Sequence, residues 1–245
     1  MSKIYEALGN AQVKVLEGSP EVAPSRHGVI SSSPQFSEPG MEREVFAYQN
    51  LAAVLPDSNR KIIQFIGSRE GEGTSTVVRE FAKVSAVKFG KLVLLLDADH
   101  RHPSQHAFLN IDPKYGWQDV VQDNTLMDKA LYQVGDTRLF LCPSSQNPGR
   151  PSQIFSPLQM DVFLKKMRQR FDLVLVDSQP AILSTDGLAL SAKVDGVVLV
   201  VEAEKTRWPV VQTAKENILR NGGKILGIVL NKRRFYIPEF IYKRL

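Results

Sequence analysis

A glycine-rich segment at residues 67–76 lies between two apolar stretches, and this arrangement most restricts the folds open to the chain. Residues 61–66 before it are typical of a buried strand. The segment 76–89 after it predicts a helix whose apolar positions are Val77, Phe81, Val84, Ala86 and Val87. Residues 92–96 then form a second apolar run. The three segments together predict a βαβ unit, and therefore a parallel sheet with covering helices.

The glycine-rich segment has the composition of a phosphate-binding loop. Glycines at 71 and 73 allow the backbone to curl, so that successive N–H groups and the next helix N-terminus can face an anion. The pattern G-x-x-x-x-G-K-[ST] requires lysine where this chain has Thr74, and its first glycine where this chain has Ser68. The backbone of a phosphate loop is therefore predicted without its lysine side chain.

Carboxylates follow two of the predicted strands. Asp97 and Asp99 come directly after the second strand, and Asp177 follows a third apolar run at 173–176. In a parallel sheet these strand ends lie at one edge, next to the loop and the hydroxyl of Ser75. Mg²⁺ prefers carboxylates, waters and phosphate oxygens. Each feature alone also fits an ordinary turn or helix cap, but their order along the chain favours a nucleotide site.

Three runs together resemble a known family. G-E-G-T-S-T, L-L-L-D-A-D-H-R and L-V-L-V-D-S-Q-P are similar to the Walker A, Walker A′ and Walker B motifs of bacterial tyrosine kinases. These are cytoplasmic autokinases of capsule and exopolysaccharide systems, related to the Min/Par partition ATPases. The resemblance covers residues 41–231, and the Walker A′ run is its most specific part. It implies a doubly wound, mostly parallel P-loop fold with helices on both faces, and ATP or ADP with Mg²⁺ as cofactors.

The resemblance also implies roles for individual residues. Ser75 and Asp97 would hold Mg²⁺, with Asp177 acting through its water shell as the third residue of the metal site. Asp99 would lie near the attacking tyrosine hydroxyl as base or orienter, so Asp97, Asp99 and Asp177 are the implied catalytic carboxylates. Asn231 would contact the adenine. The phosphates would be held by the backbone N–H groups of Gly71, Glu72, Gly73, Thr74, Ser75 and Thr76.

The chain departs from the family outside the loop as well. Ring-forming members carry E-x-x-R-x-x-R on an early helix, whereas here the matching positions are Glu44, Ala47 and Asn50. Active autokinases usually end in a tyrosine cluster, and this tail offers Tyr236 and Tyr242. We therefore do not expect the octameric ring of members with the full motif, although another homo-oligomer stays open.

The missing lysine separates nucleotide binding from turnover. Loss of one donor aimed at developing transition-state charge costs ~10²–10³ in rate. Ground-state binding is shared among several N–H groups, the helix dipole and the metal, so it can persist. Arg69 lies five positions before Thr74, where partition-type ATPases place a lysine that reaches the partner subunit's phosphates. It is either a substitute cation or a solvated loop arginine.

The rest of the chain predicts four regions. Residues 1–17 predict an amphipathic helix, which is either a docking element or a frayed terminus, and the serine- and proline-rich residues 18–40 predict a disordered linker. The nucleotide-binding domain spans 41–231 and begins with a helix at 42–55. A basic, aromatic tail follows at 232–245. The tail suits an anionic membrane surface, a partner's acidic groove or packing on the domain, and without a recognisable module nucleic acid is not expected.

Composition and the remaining patterns complete the sequence-based expectations. The lone Cys142 cannot form an intrachain disulfide, and no apolar run approaches the length of a membrane helix. We expect a cytoplasmic protein recruited to the inner face of the membrane through a partner or a surface patch. The family implies that this partner is a membrane polysaccharide co-polymerase, or chain-length protein.

Further helices are predicted at 117–121, 126–131, 153–170, 184–192 and 209–220, and further strands at 139–142, 195–201 and 225–230.

Three functions remain open at this point. The protein is a tyrosine autokinase or ATPase, a nucleotide-sensing pseudokinase that docks on the membrane partner, or a Min/Par-type positioning ATPase. The carboxylates and Ser75 favour the first, and the missing lysine and ring arginines favour the second.

Overall fold

A computed structural model describes residues 61–145 and 157–232. Several sequence-based expectations lie outside these residues. They are the amphipathic helix, the linker, the helix at 42–55 with the ring-motif positions, residues 153–156, and the tail from 233 with both of its tyrosines.

The described residues form one seven-stranded sheet with helices between the strands. The strands are β1 Lys61–Gly67, β2 Val93–Asp97, β3 Tyr132–Gln133, β4 Leu139–Cys142, β5 Leu173–Ser178, β6 Gly196–Glu202 and β7 Ile225–Asn231. The helices are α1 Thr74–Val87, α2 Gln105–Phe108, α3 Trp117–Gln122, α4 Pro157–Arg170, α5 Thr185–Ser191 and α6 Trp208–Arg220, with a 3₁₀ helix at Asn124–Ala130.

The strand order is β3-β4-β2-β5-β1-β6-β7. Every neighbouring pair is parallel except β3 with β4, which is antiparallel at one edge. β1 lies between β5 and β6, so the chain crosses over on both sides of it. This confirms the predicted doubly wound, mostly parallel P-loop fold.

Helices cover both faces of the sheet, which explains why the inner strands are largely apolar. All five residues of β2 are buried, as expected when neither face meets water. On one face α1 packs Val78 and Phe81 against Phe65 and Leu95, and the two phenylalanine rings are 5.4 Å apart. The opposite face is covered by α4 through Phe163 and Met167 and by α6 through Val211 and Ile218.

Local signals set the helix ends close to where the sequence predicts them. α1 begins two residues before its predicted start, directly after Gly73, and buries Val78, whereas the predicted apolar position Val87 is 48% exposed. The hydroxyl of Ser184 caps α5 by accepting the N–H of Gly187. The segment predicted as a helix at 126–131 is a 3₁₀ helix that begins at Asn124.

The parallel strands bring their carboxyl ends to a single edge. β2 and β5 are in register there, with Asp97 opposite Asp177. β6 ends beside β7 with Glu202 opposite Asn231. The loop after β1 lies between these two pairs because β1 lies between β5 and β6.

Candidate nucleotide-binding site

The loop between β1 and α1, residues 68–73, needs glycine at two points of its path. Gly71 has φ 81° and Gly73 has φ 84°, both in the left-handed region that other residues adopt at a cost. A Cβ on Gly73 would also collide with Nδ2 of Asn231. Gly73 is the N-cap of α1 and brings no side chain to cap the helix, so the first turn opens onto the loop. This is the backbone that the sequence predicts for holding phosphates.

Thr74 occupies the lysine position at the start of α1. Its hydroxyl lies over the beginning of the loop, since a Cβ on Gly67 would come within 2.8 Å of Thr74 Oγ1. The side chain of Thr74 is therefore turned toward the start of the loop, but it carries no charge. The site lacks the cation that a phosphate loop normally supplies from this position.

Glu72 holds the loop from within, a role that the sequence did not predict. Glu72 is 1% exposed to solvent. Its carboxylate accepts hydrogen bonds from Ser68 N at 2.6 Å, Ser68 Oγ at 2.7 Å and Arg69 N at 3.0 Å. It also accepts from Thr206 Oγ1 at 2.6 Å and Glu202 N at 3.4 Å. Glu72 thus ties the loop to the segment between β6 and α6.

Two side chains at the end of β7 donate hydrogen bonds to the outer side of the loop. Asn231 donates its side-chain amide to the carbonyl oxygen of Glu72 at 2.8 Å, and Lys232 donates to the carbonyl oxygen of Gly71. Asn231 therefore lies beside the loop, where the family resemblance implies an adenine contact. In this structure its amide is used to hold the loop.

Arg69 belongs to a group of charges on the same side of the loop. Its guanidinium lies 3.9 Å from the carboxylate of Glu202 and its side chain is 38% exposed. Lys205 and Lys232 approach the same carboxylate at 3.1 Å and 3.8 Å. Three cations thus surround the Glu202 carboxylate on this side of the loop.

The two aspartates at the ends of β2 and β5 are buried on the other side of the loop; we refer to Asp97 and Asp177 as the carboxylate pair. Their residues are 0% and 1% exposed. Asp97 Oδ2 accepts the N–H groups of Ser104 and Gln105, each at 3.1 Å. Asp177 Oδ2 accepts Gln105 Nε2 at 2.7 Å, whereas Asp177 Oδ1 has no hydrogen-bond partner among the residues that the structure describes.

Burial makes ionisation of the carboxylate pair unfavourable. It raises the pKa of Asp97 to about 8, with the charge of Asp177 adding to the effect. Burial also raises the pKa of Asp177 to about 6. A cation between the two carboxylates would remove this penalty, and the unpartnered Oδ1 gives it or its water a position. The residues therefore fit a hard divalent ion such as Mg²⁺.

The described ranges contain no group of three or more His, Cys, Asp or Glu side chains placed to hold a metal. A Mg²⁺ ion here would depend on the carboxylate pair and Ser75, and would take its remaining ligands from water and phosphate oxygens. His100, His102 and His106 follow the carboxylates without forming such a group.

Asp99 shapes the segment that follows β2. Its Oδ1 accepts the N–H groups of Arg101 and His102, at 3.1 Å and 3.0 Å. The residue is partly exposed, two positions after Asp97, at the same edge as the loop. The role that the resemblance implies for it, base or orienter, remains an expectation.

Sequence reasoning missed three side chains that organise the carboxylate pair. Gln105 is fully buried and donates Nε2 to Ser75 O at 2.8 Å as well as to Asp177. Arg79, 6% exposed on α1, reaches the oxygen of the Gln105 amide. Trp117 donates its indole N–H to Asp97 O at 2.9 Å. A signal existed for Arg79, since it lies four residues after Ser75 on the same side of the helix.

Comparison with known proteins agrees with this geometry. No family model matches the chain. The tyrosine-protein kinase CpsD of Streptococcus agalactiae is 30% identical over 173 residues, which cover 70% of this chain and 75% of that protein. The crystal structure of the chimerical protein CapA2B2 has a TM-score of 0.74 at 24% identity, covering 85% of this chain and 95% of that one.

A plasmid partition protein of Borrelia burgdorferi, bound to AMPPNP, shares the fold with a TM-score of 0.57 at 20% identity, over 77% of this chain and 83% of that one. In the part of the chain that the structure describes, no helix is long and apolar enough to cross a membrane. The sequence identity over three quarters of CpsD, together with the three strand-end motifs, places this chain in the bacterial tyrosine kinase family.

Proposed function

We propose that the protein binds ATP or ADP with Mg²⁺ and acts in capsular or exopolysaccharide biosynthesis, where it regulates a membrane polysaccharide co-polymerase. Its tyrosine kinase activity is weak or absent. The observation that carries this proposal is the buried, unpartnered Oδ1 of Asp177 beside a loop whose lysine position holds Thr74. Family membership supports the pathway.

Each element of the site has a part in this proposal. Ser75 and Asp97 would hold the ion, with Asp177 in its outer shell. Mg²⁺ would neutralise charge on the phosphates. The N–H groups of residues 71–76 would hold the phosphates, and Asp99 would orient the acceptor hydroxyl or take its proton.

The missing lysine affects nucleotide binding less than it affects turnover, so the protein can bind nucleotide without efficient turnover. Several N–H groups, the α1 dipole and the metal share the binding of the ground state, so each one contributes only a part. A lysine side chain acts on charge that develops during phosphoryl transfer, and its loss costs ~10²–10³ in rate. A protein of this kind can signal its nucleotide state through a partner, which we place at the inner face of the membrane.

Calorimetry with Mg-ADP and Mg-ATP tests the proposal. We expect binding by the wild type, and loss of binding when Ser75 and Asp97 are both changed to alanine. Asp161→Ala is a matched control, because Asp161 pairs with Lys193 on the surface away from the loop. Absence of wild-type binding at millimolar nucleotide would reject the phosphate-loop assignment.

An active tyrosine autokinase or ATPase is the second candidate, and the presence of a cation on the loop, Arg69, favours it. Arg69 could supply the missing positive charge if it left Glu202, from which it is separated by 3.9 Å. Tyrosine phosphorylation by the purified wild type, measured with and without a membrane partner, distinguishes this candidate from the first.

A Min/Par-type positioning ATPase is the third candidate. It would use Arg69 across a dimer, as the partition ATPases use their lysine. ATP-dependent dimerisation in sedimentation, lost in Arg69→Ala, would favour it over both kinase candidates.

A further inference from the structure

Arg79 is a buried cation that phosphate binding by the loop does not explain. It is 6% exposed on α1, on the same side of the helix as Ser75. Its Nη1 lies 3.3 Å from Gln105 Oε1 and its Nη2 lies 3.5 Å from Thr76 Oγ1. Its guanidinium stacks 4.0 Å from the centre of the Phe108 ring. Burying a guanidinium is costly, so the contacts of Arg79 must compensate for the hydration that it loses.

The hydrogen bonds of Gln105 fix which way its amide faces. A glutamine amide has an oxygen that accepts and an NH₂ group that donates. Arg79 can only donate, whereas the Ser75 carbonyl and the Asp177 carboxylate accept. The amide oxygen must therefore face Arg79, and the NH₂ group must face the other two. The backbone N–H of Gln105 is held as well, by Asp97 Oδ2.

We propose that Arg79 is a positioning residue for the metal-binding carboxylate Asp177, and that it acts through Gln105. This inference rests on the proposed function of the site. With its oxygen held by Arg79, Gln105 keeps its NH₂ group on Asp177 Oδ2, which leaves Oδ1 available to the ion or to the water in its shell. Without Arg79 the amide can turn over and present an oxygen to the carboxylate, which would then lose its fixed orientation.

A purely structural role makes different predictions. Arg79 also lies 3.7 Å from Glu80 and covers Phe108, so it could serve only to hold α1. Its loss would then lower stability but leave the amide of Gln105 and the metal dependence of nucleotide binding unchanged.

The first measurement uses the nucleotide-free protein. In ¹⁵N-labelled wild type, the side-chain amide signals of Gln105 are assigned by their disappearance in Gln105→Leu. We expect these amide protons to exchange with solvent at least ~10 times faster in Arg79→Met, because the oxygen that anchors the amide loses its donor. Equal exchange in the wild type and in Arg79→Met would overturn the proposal.

The second measurement is the ratio of ADP affinities with and without Mg²⁺. Arg79→Met and Gln105→Leu should each lower this ratio about tenfold, and the double variant should lower it no further, because the two residues act as one unit. Arg79→Lys retains a donor and should fall between the wild type and Arg79→Met. Lys83→Met is the matched control. It removes a cation of the same helix that pairs with Glu80 at 2.9 Å, and it should leave the ratio unchanged.

The two measurements separate this inference from the proposed function. If the wild type shows no Mg-dependent binding, the proposed function fails, and amide exchange alone decides the role of Arg79. Additive effects of Arg79→Met and Gln105→Leu on the ratio would contradict the relay. If Arg79→Met does not fold, Arg79→Lys takes its place in both measurements, and additivity with Gln105→Leu would still reject the proposal.

Discussion

Two buried carboxylate sites lie on either side of the phosphate loop, and they differ in how completely they are satisfied. On the β6 side, Glu72 accepts five hydrogen bonds from the loop and the neighbouring segment. On the β5 side, Asp177 has an oxygen with no partner among the described residues, and burial raises its pKa. A satisfied buried carboxylate stabilises its surroundings, whereas an unsatisfied one is costly unless a ligand completes it.

One part of the site therefore sets the shape of the loop, and the other part has a carboxylate oxygen that a ligand can contact. Glu72 has its donors in place without nucleotide, so it defines the loop's shape. Burial raises the pKa of both members of the carboxylate pair, Asp97 and Asp177, and Oδ1 of Asp177 has no hydrogen-bond partner among the described residues. The following changes act on one side or the other, and they are ordered by the size of the expected effect.

Thr74→Lys adds a cation between the two sides and should have the largest effect. If the missing charge alone limits turnover, ATP hydrolysis or tyrosine phosphorylation should rise by ~10²-fold or more, with little change in nucleotide affinity. Steady-state kinetics and calorimetry on both proteins measure this. Equally high rates in the wild type would mean that another cation serves. Arg69 is the first candidate, and Arg69→Ala should then abolish the activity.

Glu72→Ala removes the satisfied carboxylate and should lower the free energy of unfolding by about 3 kcal/mol, because it leaves buried donors of Ser68, Arg69 and Thr206 without an acceptor. Glu72→Gln keeps one acceptor oxygen and should lose less. Urea denaturation without nucleotide gives both values. A loss below about 0.5 kcal/mol for the alanine variant would show that the loop does not depend on this carboxylate.

Gly73→Ala and Gly71→Ala test the loop backbone at two positions with similar φ. Both variants carry the left-handed strain of about 1–2 kcal/mol. At Gly71 an added Cβ meets nothing within 4 Å, whereas at Gly73 it would displace Asn231 from the loop. Gly73→Ala should therefore lower the free energy of unfolding by about 2–3 kcal/mol, which is about 1 kcal/mol more than the loss in Gly71→Ala. Equal thermal stabilities would mean that Asn231 does not hold the loop in solution.

Asp177→Asn removes the charge of the unsatisfied carboxylate. It should raise the free energy of unfolding, whereas the substitutions of Glu72 and the two glycines lower it. A carboxyl whose folded-state pKa is raised favours folding below its unfolded pKa, and this contribution is lost as the pH rises through the folded value. Without divalent cations, wild-type stability should therefore fall between about pH 4 and pH 6 because of Asp177, and up to about pH 8 because of Asp97. At pH 7.5 the asparagine variant should be more stable by about 2 kcal/mol.

Thermal unfolding with and without EDTA and MgCl₂ checks this prediction. Mg²⁺ should raise the melting temperature of the wild type and have less effect on Asp177→Asn. If the asparagine variant is less stable at every pH, the carboxylate pair is satisfied in solution by partners other than a cation.

The sequence predicts the fold well because its inner strands are buried on both faces. Largely apolar runs such as 61–66 and 92–96 favour a sheet that is covered by helices on both faces. Glycine and aspartate at the strand ends then predict the loop and the carboxylate pair. The short strand β3 and the short helix α2 escaped prediction, because segments of two and four residues carry no detectable period.

The contacts around the carboxylate pair could not be predicted for a different reason. Gln105 reaches Asp177 across 72 positions of sequence, and nothing in the local pattern of Gln105 indicates burial. Glu72 was expected to offer its N–H, but its side chain bonds to Thr206, 134 positions away. Such pairs depend on how strands neighbour one another in the sheet, which hydrophobic periodicity does not encode.

The position of β1 between β5 and β6, two strands that are synthesised later, determines when the loop can take its final shape during synthesis. The backbone N–H of Ile62 in β1 donates to the carboxylate of Asp195, 133 residues later. The side-chain amide of Asn231 donates to the carbonyl oxygen of Glu72, 159 residues before it. When the loop has just left the ribosome, the later strands that shape the loop have not yet been synthesised. Domains generally fold as units during synthesis. The nucleotide proposed for this loop would therefore act late in folding, once the chain has been translated as far as β7.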